Sequence, residues 1–563
     1  MSKQFSRRSF LMGSGMLGVA AAAGALTGCA PTGSADGDSQ NLSATGEAKG
    51  GTRYSLYENP DEIGIVHDAA NEEDFDAVFV GTGIGGMMGA MICAEQMPDA
   101  KVLLLDKGSI CGGNTNYAER NAPNESVTWA EALAAASETA AESTYLKRGI
   151  LYAERAVDYG MNSAWLYLKH GVQLHKPASS AIARPMYEGG NGSAVIKRLQ
   201  GQLDGAEYAN LELRLNTRAT ALLLDDEYTC TGVQILNEDG TYTNINAKAV
   251  VLATGGMSNN FDLLQYYSAQ DLSKCEAMGE NQHGDGHLMA EQTGHGRCGT
   301  VALSSMYIHV PGFSIDSLLS VAASMNGSCC YVNQDGERFI DESSPSDIAR
   351  SKAVEQQGRV FSIIGTGLLN DYQAGKMAHM KGLVGEDRAN EPWDAADDLA
   401  LAEGNDHVFK ADTLEELAEL MGVPADTFVA TMDTYEADCA AGTGDSVFAK
   451  PAEHMMSMGE GPFYGFELSS VIFNTNNGIR INRNAQVVDA AFKPVEGLYA
   501  AGIAASGFNT EIYYVGTCQS SSVWCGSKAA RHLIENCLGG TVADNWYGDE
   551  IYTKDSVVAY DNA

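Results

Sequence analysis

Phe75-Asp76-Ala77-Val78-Phe79-Val80-Gly81-Thr82-Gly83-Ile84-Gly85-Gly86 is the stretch on which the fold turns. Its first half is a short apolar run of buried-strand character, and the glycines Gly81, Gly83 and Gly86 come after it without a break. Residues 87–96 then continue as an apolar helix. Glycines at this spacing permit a tight turn and let the backbone approach a pyrophosphate, which sits on the free N–H groups of the helix N-terminus. Alone the fingerprint is weak. Here a second apolar strand, residues 101–105, ends at Asp106, twenty residues beyond Gly86, where a carboxylate is expected to hold an adenosine ribose hydroxyl. Strand, turn, helix, strand and acid in register predict an α/β fold built on a Rossmann-like dinucleotide-binding domain.

The whole chain limits what that domain can serve. With 563 residues, 44% of them hydrophobic, it can bury a large core and divide into several domains. Asp and Glu number 73 against 36 Lys and Arg, a formal charge of −37, so the long-range field repels nucleic acid and anionic membrane surfaces. No nucleic-acid partner is expected, and a highly anionic substrate would need local Arg or His to reverse the field. The 12 cysteines include no CxxC or CxxCH pair. Cys329-Cys330 and the pair Cys518 and Cys525 lack zinc, haem or ferredoxin spacing, so no metal is assigned and the cysteines are expected to be buried small apolar residues.

The N-terminus reads as targeting sequence. Ser6-Arg7-Arg8-Ser9-Phe10-Leu11 resembles the twin-arginine export signal, and residues 10–26 are a mild, Gly- and Ala-rich apolar stretch too short for a membrane span. Leu26-Thr27-Gly28-Cys29 resembles a bacterial lipobox, which implies cleavage before Cys29 and a lipid anchor on it. Residues 1–29 are therefore taken as the signal and residues 30–70 as a flexible tether. Twin-arginine export carries folded proteins, which suits a cofactor loaded in the cytoplasm.

Beyond Asp106 the chain resembles one superfamily. Gly112-Gly113-Asn114-Thr115 is similar to the flavin loop of the fumarate reductase and succinate dehydrogenase flavoproteins. Ala253-Thr254-Gly255-Gly256, His283-Gly284-Asp285-Gly286 and Gly497-Leu498-Tyr499-Ala500-Ala501-Gly502 are similar to its later FAD landmarks, in the same order. The resemblance implies FAD as cofactor. It implies contacts from Gly81, Gly83, Gly85, Gly86, Asp106, Lys107, Gly112, Gly113, Asn114, Thr115, Ala219, Ala253, Thr254, Gly255, Gly256, Asp285, Gly502, Ser520 and Ser521. Ile503 stands where the family usually has Glu. Val332-Asn333-Gln334-Asp335-Gly336-Glu337-Arg338-Phe339 resembles the family's inserted α+β capping domain, which implies flavin-domain parts at 71–299 and 456–545, a cap at 300–455 and a tail at 546–563. Within the cap, residues 412–421 read as a helix, and Leu213 to Asn237 as a small sheet inside the flavin domain.

The residues that would grip substrate depart from the family. Its Arg acid falls on Ser346, its carboxylate-binding His on Asn474 and a further Arg on Tyr514, while His309 keeps a match to a family histidine. A dicarboxylate needs bidentate cationic clamps, so fumarate is not the expected substrate. Arg350, four residues after Ser346, could return a cation if Pro345 opens a helix. Tyr514, beside Val515-Gly516, resembles the tyrosine of 3-ketosteroid dehydrogenases that donates to a substrate carbonyl, and Tyr513 competes for that role. Tyr117, just after the flavin loop, is a further candidate to face substrate.

Together these imply an extracytoplasmic, lipid-anchored FAD reductase of an alkene conjugated to a carbonyl. The small-molecule substrate would be an uncharged or aromatic enone, and the electron donor a separate membrane cytochrome or quinol-linked protein. The alternatives are a ketosteroid-type dehydrogenase running oxidatively and a non-catalytic electron-carrier flavoprotein.

Overall fold

The computed structural model describes residues 41–42, 48–49, 63–118, 150–175, 186–187, 192–267, 272, 275–277, 279, 281–293, 302–313, 317–324, 327–344, 347–374, 396–476, 478–505, 508 and 517–552. The export signal, Cys29, Ser346, Tyr513 and Tyr514 lie outside them.

The apolar run beginning at Ala77 forms strand β1 (Ala77–Val80), every residue of it buried, and helix α1 (Ile84–Gln96) starts directly after the glycine turn. Strand β2 (Val102–Leu105) lies parallel to β1, pairing Ala77 with Val102 and Val80 with Leu105. Outside β2 runs β3 (Leu211–Arg214), and on the other side of β1 runs β4 (Ala249–Leu252), both parallel. Pro494–Ala500 pairs parallel with β4, and Gln486–Val488 closes that edge antiparallel. A parallel strand covered on both faces needs apolar side chains in both directions. This is why β1, β2 and β4 are unbroken apolar runs with no alternation.

Helix α1 is apolar all round because it is covered all round. One side meets the sheet and another meets the long C-terminal helix α2 (Thr517–Asn536) at close range: a Cβ on Gly526 would lie 2.1 Å from the Gly85 carbonyl oxygen. The segment expected as one small sheet divides in two. Leu211–Arg214 joins the parallel sheet, whereas Arg218–Leu224 and Cys230–Leu236 turn away into a four-stranded sheet with Tyr242–Asn246 and Asn71–Asp74.

The tether and the tail are shorter than expected. Ile63 is buried in the first core, and Gly64 N donates to Thr220 O at 2.6 Å, so ordered packing begins before residue 70. Trp546 and Tyr552 are buried in the same core, which absorbs the start of the C-terminal segment.

A second core draws on residues from Ile308 to Leu468. It packs around a sheet ordered Tyr331–Asn333, Val360–Gly365, Phe463–Glu467, Val408–Ala411. The expected helix there runs Leu414–Met421, capped by Thr413, whose side chain accepts from Glu416 N at 3.2 Å. Buried charges are balanced inside this core. Arg338 bonds Glu342 and Asp445, each at 2.8 Å, and Lys450 lies 3.3 Å from Glu342.

Between the cores runs a three-stranded sheet in which β5 (Ala302–His309) pairs antiparallel with β6 (Ser469–Asn476). Its register sets His309 opposite Ser469 and Ser304 opposite Asn474, so the two ends of β6 serve different neighbourhoods. Helix α2 then returns the chain to the glycine turn.

Candidate active site

A cleft of about 1240 Å³, open water at its mouth included, runs along the C-terminal ends of β1, β2 and β4. That is the crevice where open α/β sheets bind ligands.

The three fingerprint glycines do different work. A Cβ on Gly81 would lie 2.2 Å from Ala253 O, and one on Gly86 would lie 1.9 Å from Gly81 O, so both positions exclude any side chain through contact with the protein itself. A Cβ on Gly83 would meet nothing nearer than Thr115 Oγ1 at 3.7 Å. Gly83 is bare toward the cleft, where the backbone can approach a ligand. Gly86 stands behind the turn and is not among the lining residues.

Asp106 ends β2 and is held firmly. Its Oδ2 accepts from Thr82 N at 2.8 Å and Thr82 Oγ1 at 2.6 Å, and its Oδ1 accepts from Gly108 N at 2.7 Å. Thr82 Oγ1 also accepts from Gly112 N at 3.0 Å, and Thr115 Oγ1 from Ile84 N at 3.0 Å. The glycine turn, Asp106 and the 112–115 loop are thereby locked together. Farther along, Lys107 Nζ and Arg218 Nε converge on Asp285 Oδ2 at 2.9 and 3.2 Å. Burial pushes the Asp285 carboxyl up, but the two cations outweigh it and hold it at about 2. Burial first and Lys107 second depress His283 to about 3. Lys107 itself is lowered, by burial, against the pull of Asp285.

The cleft suits FAD by the polar atoms it leaves over. Asn114 Oδ1, Thr254 Oγ1, Gln282 Nε2 and Asp285 Oδ1 are buried without a hydrogen-bond partner, and all four residues line the cleft. Buried polar atoms are paired in nearly all folds, so orphans gathered around one cleft imply a polar ligand. With the bare Gly83 and the helix N-terminus beside it, the residues fit a dinucleotide carrying a polar ring system.

Most of the sequence candidates meet here. Gly81, Gly83, Gly85, Asp106, Lys107, Gly112, Gly113, Asn114, Thr115, Tyr117, Ala219, Ala253, Thr254, Gly255, Asp285, Asn474 and Gly502 line the cleft. Gly256 does not, because it packs against Thr475, whose Oγ1 a Cβ there would approach to 2.4 Å. Ser520 and Ser521 do not either. On α2 the lining positions are Cys518, Gln519 and Ser522, one helical face, and Ser521 is turned away to accept from Arg155 Nη1 at 2.9 Å.

Two catalytic candidates are placed elsewhere. His309 Nε2 lies 2.9 Å from Glu276 Oε2, opposite Ser469 and five residues down β5 from Ser304, the partner of Asn474. At about 3.3 Å per residue that is roughly 17 Å from the cleft end of the strand. Arg350 is buried on the helix Asp347–Glu355, where its Nη1 donates to Glu342 O at 3.1 Å, and it is not among the lining residues.

Residues not anticipated include Thr82, Arg218, Gln282, Cys518, Gln519 and Ser522. Gln282 directly precedes the His283-Gly284-Asp285-Gly286 turn and could have been read from it. Gln519 and Ser522 depend on the phase of α2, which has no mark in a linear reading.

The parallel sheet, the glycine turn and the ligand-shaped cleft define a dinucleotide-binding oxidoreductase scaffold. More narrowly, the FAD binding domain family model matches residues 76–513, and the chain belongs to that family. It is an FAD-dependent oxidoreductase. Vinyl phenol reductase of Lactiplantibacillus plantarum is 30% identical over 83% of this chain and 97% of its own. A probable fumarate reductase of Shewanella frigidimarina is 26% identical over 84% of this chain and 78% of its own. Among solved structures, 3-ketosteroid delta1-dehydrogenase of Sterolibacterium denitrificans shares the fold with a TM-score of 0.61, at 18% identity over 82% of this chain and 99% of that one.

Proposed function

We propose that this protein reduces a carbon–carbon double bond conjugated to a carbonyl, in an uncharged or aromatic substrate. The observation that carries the reading is that both cations on the described lining of the cleft are held by a carboxylate. Phe473, Asn474, Cys518, Gln519, Ile503 and Tyr117 line the cleft without a charge, and among the described lining residues the cations are Lys107 and Arg218, both engaged with Asp285. Among the described lining residues a dicarboxylate would find no bidentate clamp. The similarity to a vinyl phenol reductase over nearly all of that protein supports an alkene as acceptor.

Bound FAD supplies the hydride. Gly83 and the N-terminus of α1 would hold its pyrophosphate, Asp106 its ribose, and Asn114 and Thr115 its flavin end. In this reading the hydroxyl of Tyr514 donates to the substrate carbonyl, which makes the distant alkene carbon electrophilic, and a general acid protonates its neighbour. The twin-arginine motif and Cys29 support export and lipid anchoring. Electrons then arrive from a separate membrane cytochrome or quinol-linked donor.

Anaerobic turnover with reduced viologen against enones, cinnamates and diacids tests the reading. Enones or aryl alkenes are expected to reoxidise the enzyme fastest; fumarate as the best acceptor overturns it.

A further inference from the structure

We propose that Asn474 reads a free hydroxyl on the substrate, so that the molecules this cleft takes are aromatic alkenes or enones bearing a phenolic hydroxyl; the inference rests on the reduction proposed above. Asn474 is 1% exposed, two residues before the end of β6. Its Nδ2 donates to Cys518 Sγ at 3.5 Å, which leaves Oδ1 as a buried acceptor without a donor. Gln519, the next residue on α2, adds a second unpartnered acceptor, Oε1, to the same cleft. Leaving such an oxygen buried and unpaired is costly, and a ligand O–H recovers that cost.

The chemistry of the acceptor selects among ligands. A carboxylate would set oxygen against oxygen, and among the described lining residues both cations are held by Asp285. A methyl ether fills the same space and offers no proton. A hydroxyl donates directly. Phe473 and Ile503, which line the cleft with Asn474, add an apolar wall suited to a ring, which makes a phenol a better match than a small alcohol.

The test is the affinity of the oxidised holoenzyme for 4-ethylphenol and for 4-ethylanisole, measured by calorimetry. These ligands carry no reducible alkene. The phenol is expected to bind at least about tenfold more tightly, the equivalent of one ordinary hydrogen bond. N474D keeps an acceptor and is expected to keep the preference; N474L is expected to abolish it, with flavin content followed in parallel by absorbance. Equal binding of the two ligands, binding of neither, or a preference that survives N474L overturns the inference. The wild-type comparison needs no variant to fold. Failure of every alkene to reoxidise the enzyme would instead overturn the proposed reaction.

Discussion

Thr82 Oγ1 donates to Asp106 Oδ2 at 2.6 Å while accepting from Gly112 N at 3.0 Å, so one hydroxyl joins the glycine turn, the end of β2 and the 112–115 loop. Thr82 is fully buried, and its own amide makes a second bond to the same carboxylate oxygen. T82V keeps the shape and removes both hydroxyl bonds. FAD affinity is expected to fall about tenfold, as for loss of roughly 1–1.5 kcal/mol, with little change in the fold. Flavin fluorescence on dilution measures the release.

The fingerprint glycines should separate by phenotype. G81A and G86A press a methyl into backbone at 2.2 and 1.9 Å, so soluble protein should be scarce. G83A has room within the protein and should fold, yet bind FAD poorly because its methyl points to the ligand side. Thermal melts of the apoproteins beside flavin titrations distinguish these outcomes. A G83A protein that holds FAD normally would contradict the role assigned to that glycine.

Glu95, near the end of α1, gathers Lys169 Nζ at 2.7 Å, Tyr208 OH at 2.6 Å and Trp165 Nε1 at 3.2 Å, with His170 Nε2 3.1 Å away. Burial raises its carboxyl, but His170 and Lys169 reverse that and hold it at about 2. A depressed carboxylate stabilises the fold above its unfolded value, near 4.3, and that stability is lost as pH falls toward about 2. E95A is expected to cost about 3 kcal/mol at pH 7, since it strands several buried donors. The difference from wild type should shrink in denaturant melts below pH 4.

His287, buried and without a partner at either ring nitrogen, is lowered to about 4 by burial, against Asp285. Neutral in both states above pH 6.5, it adds no penalty there. As pH falls from 6.5 toward about 4 the unfolded chain takes the proton first, and stability drops. H287L should flatten the melting temperature across that window.

Y514F addresses the proposed carbonyl donor. Turnover should fall about 100-fold or more, with FAD retention unchanged. Unchanged kcat would remove Tyr514 from the chemistry.

The cofactor is legible in the linear chain because the residues proposed to hold it are local: backbone amides in one turn, a carboxylate at the next strand end and a short glycine loop. Each sits where a short stretch of sequence already fixes backbone conformation. His309 is not legible in that way. It keeps a family match in sequence yet faces Glu276, because a strand carries its two ends to different neighbours. Ser520 and Ser521 fit the linear pattern while Gln519 and Ser522 line the cleft, since the face of a helix is set by packing: α2 meets α1 through Gly526 and Gly85. Sequence alone therefore determined the fold class, through local backbone geometry, and FAD, through the resemblance of the later glycine landmarks to one flavoprotein superfamily. Only the tertiary structure decided which side chains line the cleft beyond the glycine turn, because Asn474, Tyr117 and the pair Cys518 and Gln519 come from three separate elements whose register and rotation depend on the cores around them.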